Sequence, residues 1–220
     1  MNIFLEVAKA HPLIVVECIL ASVALMLVRV FGRQIRGRIG EGILSSLLRR
    51  RLDPALYEIL DDVYLPDGTG GTTQIDHIVV SRSGVFVIET KTYRGWIFGG
   101  KGPVWTQSMR GGRKNKFQNP LRQNYKHVCV LSECCHIPKE HLKSIVAFSG
   151  EATFKGDIAD SSRFPEVMHF ASVVDHIHAF ITPLFTEERA RSYADAIRES
   201  SSKVTSEQRR AHVANLRARH

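Results

Sequence analysis

Three charged residues close an otherwise apolar hairpin in the stretch TQIDHIVVSRSGVFVIETKTY, Thr73 to Tyr93. Asp76 sits near the start of the first apolar run, and Glu89 and Lys91 end the second. Strand residues two apart project from one face, so Glu89 and Lys91 share a side. A turn at Ser81-Arg82-Ser83-Gly84 puts Asp76 opposite Glu89. A turn closing two residues later puts it opposite Lys91 instead, and a bulge at Ser83-Gly84 breaks both registers. Like charges directly opposed across strands repel, and a divalent cation between two carboxylates removes the penalty. Two hard oxygen ligands with positions left for water suit Mg²⁺ or Mn²⁺. Such an ion polarises a phosphoryl oxygen and acidifies water, while Lys91 orients that water or stabilises developing charge. The competing arrangement is an Asp76–Lys91 salt bridge with Glu89 in solvent. An E-x-K triplet alone is commonplace; one that ends an apolar strand, with an Asp one hairpin upstream, is far more specific.

The elements that must position these groups are readable from periodicity. RGRIGEGILSSLLRRRL carries Ile39, Ile43, Leu44, Leu47 and Leu48 at helical spacing. ALYEILDDVYLP reads as a strand stopped at Pro66-Asp67-Gly68, and a Gly/Thr-rich turn leads into the hairpin. RGWIFGGKGPVWTQSMRGGRKNKFQNP predicts short strands and a loop. Asn119 and Pro120 mark a helix start over NPLRQNYKHVCVLSECC. KSIVAFSG and EVMHF are candidate strands; SVVDHIHAFI and TEERARSYADAIRES read as helices, the second capped by Thr186. Helix, three strands, helix, two strands and further helices imply a mixed α/β sandwich around a central sheet.

Length and charge bound the rest. A chain of 220 residues with 44% hydrophobic content holds one sizeable domain plus appendages. Its net charge of +8 suits nucleic acid or an anionic membrane surface without choosing between them. Cys18, Cys129, Cys134 and Cys135 form no C-x-x-C pair, which argues against structural zinc and for reduced thiols. Between Leu13 and Val28 only Glu17 is charged. A membrane anchor over residues 12–31 is the leading reading. A signal peptide cleaved near Ser22-Val23-Ala24 and a buried amphipathic helix compete with it. Arg29, Arg33, Arg36, Arg38 and Arg49-Arg50-Arg51 follow the segment and only Lys9 precedes it, which places the rest of the chain in the cytoplasm.

At these motifs the sequence resembles the nuclease-related domain (NERD) family of the PD-(D/E)xK nuclease superfamily. GEGILSSLL, LDDVYLP, TQIDHIVVSRSGVFVIETKTYRGWIFG, the tryptophan at 105 and NPLRQNYKH carry the likeness, over residues 38 to 150. The resemblance implies a restriction-endonuclease-like fold, a central mixed sheet flanked by helices; the apolar N-terminal segment, read on its own hydropathy, adds a preceding transmembrane helix. It implies Asp76 and Glu89 as metal ligands and Lys91 as the catalytic lysine. Glu41 matches the family's helix glutamate, and Gln123 matches its helix glutamine, placed to contact Lys91, water or phosphate. Two departures stand out: Ile75 replaces the superfamily's proline, and His127 breaks the Q-x-x-x-Y pattern of some relatives. The expected organisation is an anchor over 1–33, the nuclease-related domain over 34–182 and a basic helical tail over 183–220.

Other residues carry weaker signals. His77 adjoins Asp76 on the opposite face and suits packing, as do His176 and His178. Trp96 and Trp105 flank a segment with Lys101, Arg110, Arg113, Lys114 and Lys116, a mixture suited to phosphate contact and base stacking; core tryptophans beside a solvated basic loop are the plainer alternative. Lys203, Arg209, Arg210, Arg217 and Arg219 make the tail basic. The expected protein is a Mg²⁺-dependent nuclease, an endonuclease on DNA, held by one span at the cytoplasmic face of the inner membrane. A non-catalytic nucleic-acid-binding or membrane scaffold module that keeps the fold is the alternative.

Overall fold

Alternating apolar residues and well-placed turn signals produce strands wherever the sequence predicts them. The computed structural model describes residues 12–218. Helix α1 spans Pro12–Arg51, followed by β1 (Glu58–Pro66), β2 (Thr72–Ser81), β3 (Gly84–Lys91), β4 (Gly95–Gly99), β5 (Val104–Ser108) and β6 (Lys114–Gln118). Next come α2 (Pro120–Cys135), β7 (Leu142–Phe148), β8 (Ala152–Gly156), β9 (Val167–His169), α3 (Phe170–His178), α4 (Glu187–Ser202) and α5 (Ser206–Ala218). The chain divides into two units, Met1–Ile39 and Gly40–His220.

In the second unit the central sheet has the order β1-β2-β3-β7-β9, antiparallel through β3 and parallel beyond it. Alternation sends Ile78, Val80, Val85 and Val87 to one face, where α2 and α4 cover them with Val128, Leu131, Ala194 and Ile197. Val79, Phe86 and Ile88 go to the other face, under Leu44 and Leu48 of α1 and Val173, Val174 and Ile177 of α3. This is the expected mixed sheet between helices. Residues from 183 onward add to the same core, since α4 buries Ala190, Tyr193, Ala194 and Ile197 in it.

The segment after Lys91 forms the short strands expected of it. It forms a second sheet, β6-β5-β4-β8, with β8 running parallel to β4. Its inner face packs Ile97 and Trp105 on Val146, Phe148 and Val167. β8 is five residues between turn-forming glycines, too short to show a period in the sequence.

Two buried amides tie α2 to both sheets. Asn119 caps the helix through Leu121 N–H at 2.9 Å and donates to Gly100 O and Gly102 O in the β4–β5 turn. Asn124, fully buried, donates to Val87 O, Ser144 Oγ and Ile145 O, and so locks the helix over β3 and β7. A cap alone fixes where a helix starts; these contacts also fix where it lies.

The expected transmembrane helix requires correction. The apolar segment is helical, but no helix among the described residues is long and apolar enough to cross a membrane. The run from Leu13 to Val28 measures about 24 Å at the helical rise, short of a hydrocarbon core of about 30 Å. Its apolar side chains are nonetheless open: Leu13, Ile14, Val16, Ile19, Leu20, Val23 and Met26 are all exposed.

Candidate active site

The hairpin adopts the first of the two registers. Ser81 pairs with Gly84 and His77 with Ile88, so Asp76 and Glu89 stand opposed one step beyond the last ladder pair. The turn is regular in register, and Gly84 takes a φ of 154° that favours glycine.

Simple alternation nevertheless stops at Asp76. Along β2 the residues on the α2 face run Ile75, Ile78, Val80, and along β1 they run Leu60, Val63, Leu65. Each strand takes one three-residue step where a pleat demands two. The steps coincide: Asp61 pairs with His77 and Val63 with Ile75, leaving Asp62 and Asp76 outside the ladder. Asp62 adopts a left-handed φ of 54°, a conformation Asp tolerates better than most residues, and its carboxylate accepts from Gln74 Nε2 at 2.7 Å. The sheet is thus kinked at the point where Asp76 must leave it. Freed there, the Asp76 carboxylate accepts the Thr90 N–H at 2.7 Å.

Glu89 and Lys91 face α2 as the spacing requires. Glu89 is buried, with Oε1 accepting from Lys91 Nζ at 2.5 Å and Oε2 bonded to His127 Nε2 at 3.1 Å. Lys91 Nζ also donates to Gln123 Oε1 at 3.0 Å. The alternative of a solvated Glu89 beside an Asp76–Lys91 pair is therefore not the arrangement found. His127 bonds Thr73 Oγ1 through Nδ1 at 2.8 Å. An ionised carboxylate only accepts, so Nε2 carries the proton toward Glu89, and in the neutral ring Nδ1 accepts from the threonine hydroxyl.

Glu41 reaches the same end of the sheet from α1. Gly40 makes the approach possible: a Cβ there would lie 1.8 Å from Thr92 Cγ2. The glycine lets the helix settle against the chain just past Lys91, with Glu41 half-buried beside it.

The charges interact strongly. Burial, then the nearby charges of Glu89 and Glu41, push the Asp76 carboxyl well above the usual carboxylate range; Lys91 and the Thr90 N–H only partly oppose this. Burial also acts to raise Glu89, but the Lys91 charge and the His127 bond outweigh it and hold Glu89 below its ordinary value. For Lys91 burial acts downward, and the Glu89 and Asp76 charges more than compensate, so its pKa is raised. Lys91 is therefore a standing ammonium, a donor and a cation rather than a base.

These groups fit a hard divalent cation by chemistry. They offer carboxylate oxygens in excess of the single positive charge among them; Thr90 Oγ1, which strand alternation sends to the opposite face of β3 from Glu89 and Lys91, is buried without a hydrogen-bond partner among the described residues. Among the described residues no three His, Cys, Asp or Glu side chains are placed to hold a metal ion. Two carboxylates completed by water and phosphate oxygens is the usual provision for Mg²⁺.

Residues 36–149 match the nuclease-related domain family, just over half of the chain. The chain belongs to the NERD family. That family is part of the PD-(D/E)xK-like nuclease superfamily, whose enzymes typically use divalent metals. An uncharacterized protein of Bacillus anthracis is 42% identical over 154 residues, which cover 63% of this chain and 71% of that one. No solved structure matches. The NERD match takes in Glu41, Asp76, Glu89, Lys91, Gln123 and His127. His127 is the residue that sequence reasoning passed over, as a mere departure from a tyrosine pattern. The available signal was its spacing: four residues after Gln123, it must share that residue's helix face.

Outside this centre the other candidates separate. His77 lies on the α1 face as expected, its Nδ1 bonded at 2.7 Å to Asp61, which also accepts from Ser45 and Arg49. His176 and His178 pack on Phe180 and Tyr57. Trp105 is core, 1% exposed and stacked on Phe148, so it is unavailable to a base. The five predicted phosphate contacts do not form one cluster. Lys101 lies in the β4–β5 turn, Arg110 and Arg113 in the β5–β6 turn at the far end of β5, and Lys114 and Lys116 on β6. Of the tail cations, Lys203 pairs with Glu199 and Arg209 covers the Tyr64 ring; Arg219 lies outside the described residues.

The Asp76 shift makes a prediction of definite sign. A carboxyl whose pKa is raised on folding binds more protons in the native state, so its contribution falls as pH rises from the unfolded value through the folded one. Asp76→Asn keeps an oxygen for the Thr90 N–H and removes the charge. In EDTA at neutral pH the variant is expected to melt higher than the parent, by about 2–4 °C for each kcal/mol gained, with the difference vanishing toward pH 4. A variant that melts lower at neutral pH contradicts the crowded-carboxylate geometry.

Proposed function

We propose that this NERD protein is a metal-dependent phosphodiesterase that cleaves nucleic acid, DNA in particular, at the open end of the β2–β3 hairpin. The observation that carries the proposal is the buried Glu89 carboxylate, bonded to Lys91 and His127, beside an Asp76 whose pKa is driven up by burial and then by the neighbouring carboxylates Glu89 and Glu41. Asp76 and Glu89 are the residues that would hold Mg²⁺ or Mn²⁺. Bound there, the cation supplies Lewis acidity toward a phosphoryl oxygen and lowers the pKa of water.

The chain's own groups do the remaining work. His127 fixes the Glu89 rotamer, leaving lone pairs of both carboxylate oxygens for ligation. Lys91, permanently charged, stabilises negative charge as it develops on the phosphate. Gln123 restrains the Lys91 ammonium through its carbonyl oxygen and turns its amide toward water or phosphate. Glu41 raises the local negative potential and favours cation capture. The non-catalytic alternative draws on one observation, the absence among the described residues of three side chains set to hold a metal.

Cleavage decides between the two. With Mg²⁺ or Mn²⁺ the full chain is expected to cut DNA, EDTA is expected to stop it, and Lys91→Ala to slow it by about 10²–10³-fold with near-UV circular dichroism unchanged. Failure to cut DNA or RNA with either metal, or equal cutting by the variant, overturns the enzyme reading.

The exposed apolar part of α1 is assigned to a membrane surface. Its open residues extend round more than half the helix at about 100° per residue, which a soluble helix packed on one side does not need. Arg36 and Arg38 follow, exposed, and suit the anionic head groups of such a surface. The full chain is expected in the membrane fraction of cells, and a chain lacking residues 1–31 in the soluble one. A full chain that stays soluble contradicts this assignment.

A further inference from the structure

The four-stranded sheet has an outer face that the catalytic centre does not use. Register and exposure define it. On β4 Trp96 and Phe98 point outward, 55% and 40% exposed, with Ile97 buried between them. Trp96 lies opposite Ser108 and Phe98 opposite Thr106 on β5; those residues lie opposite Lys114 and Lys116 on β6. On the other side Trp96 neighbours Thr153 and Phe98 neighbours Lys155 of β8. The face is thus two aromatic rings in a row, with hydroxyls and then lysines on the β5–β6 side and one hydroxyl and one lysine on the β8 side.

Its charge is one-sided. The four strands read GWIFG, VWTQS, KNKFQ and ATFKG and contain no Asp or Glu. All three of their lysines are exposed on the outer face. Lys155 Nζ lies 5.7 Å from the Trp96 ring centre, so the aromatic surface already accepts a cationic neighbour at its rim. A sheet face built to meet another protein core has no need of uncompensated lysines on both sides of its aromatics.

We infer that this face is a stacking surface for single-stranded nucleic acid, with bases on Trp96 and Phe98 and phosphates along Lys114, Lys116 and Lys155. The rings sit two residues apart on one strand, about 7 Å, which leaves room for a base over each. A duplex hides its base faces inside the stack, so aromatic rings on an open sheet select unpaired strands. The sheet is also close to the chemistry in chain terms: Gly95 follows Lys91 by four residues, at most about 14 Å of extended backbone. The inference rests on the nucleic-acid reading above and specifies its substrate class as a strand with exposed bases.

The two tryptophans of the chain make the test direct, since Trp96 is exposed and Trp105 buried. The full chain carrying Lys91→Ala, in mild detergent and EDTA, is titrated with oligothymidylate while tryptophan emission is followed. Binding is expected to quench the red-shifted emission of Trp96, and a duplex of equal length to bind at least about tenfold more weakly. Added Trp96→Ala abolishes the quench and weakens binding about 5-fold or more. Phe98→Ala weakens it similarly and keeps the quench, and unchanged blue emission from Trp105 reports an intact fold in both. Equal binding of duplex and single strand together with indifference to both substitutions overturns the inference. So does quenching by anionic lipid vesicles but not by the oligonucleotide. Cleavage by the parent chain, with Lys91 intact and Mg²⁺ or Mn²⁺ supplied, separates the two readings. Stacking without any cleavage ends the nuclease assignment and leaves this surface standing, whereas cleavage with binding indifferent to Trp96 and Phe98 does the reverse.

Discussion

An ionised carboxylate enclosed in protein dictates much of this structure. Glu89 is 3% exposed, and a buried charge persists only when it is paired and hydrogen-bonded. Lys91 and His127 supply that pairing, one to each oxygen. Each partner then needs its own support, Gln123 for Lys91 and Thr73 for His127. The requirement extends to the scaffold, because Gln123 and His127 reach the strand only if α2 lies at one angle. Asn119 and Asn124 hold it there. Removing one member of such a buried pair typically costs about 3–5 kcal/mol, so the network is a structural commitment as well as a chemical one.

The second constraint is that Asp76 approach Glu89 without being masked by the sheet. A perfect pleat would tie Asp76 itself into the β1–β2 ladder, as it ties its neighbours Ile75 and His77. The paired irregularity at Asp62 and Asp76 releases it, and the left-handed Asp62 is where the backbone takes up the change. Irregularities of this type are common next to sites that must re-aim a side chain. Gly40 plays the complementary part on α1 by letting the helix that carries Glu41 close on Thr92. Crowding three carboxylates near one ammonium is unfavourable for folding alone, and it makes sense where a cation is to be bound.

Much of this was legible in sequence because it rests on strict geometry. Period-two alternation put Glu89 and Lys91 on one face, whereas the Ser-Gly turn left open whether Asp76 opposes Glu89 or Lys91, and the strand pairing settles it for Glu89. Helical spacing, the Asn119-Pro120 start and Thr186 marked the helices that cover the sheet. The rest depended on tertiary facts. That His127 supports Glu89 follows only once α2 is placed over β3. That Trp105 is core while Trp96 is open needs the register of a sheet whose strands are five residues each, too short for a reliable period. The apolar helix was clear as a helix, but its extent as a span was overstated, because the charged residues at its ends were counted into an apolar length they do not extend.

Binding of a divalent cation by the paired carboxylates tests the central claim most directly. Mn²⁺ titration followed by electron paramagnetic resonance at neutral pH is expected to show one site per chain in the parent protein. Glu89→Gln, with its fold verified by circular dichroism, is expected to lose that site. A parent that binds no Mn²⁺, or a variant that binds it equally well, would contradict the account of the hairpin's open end as a metal-dependent hydrolytic centre.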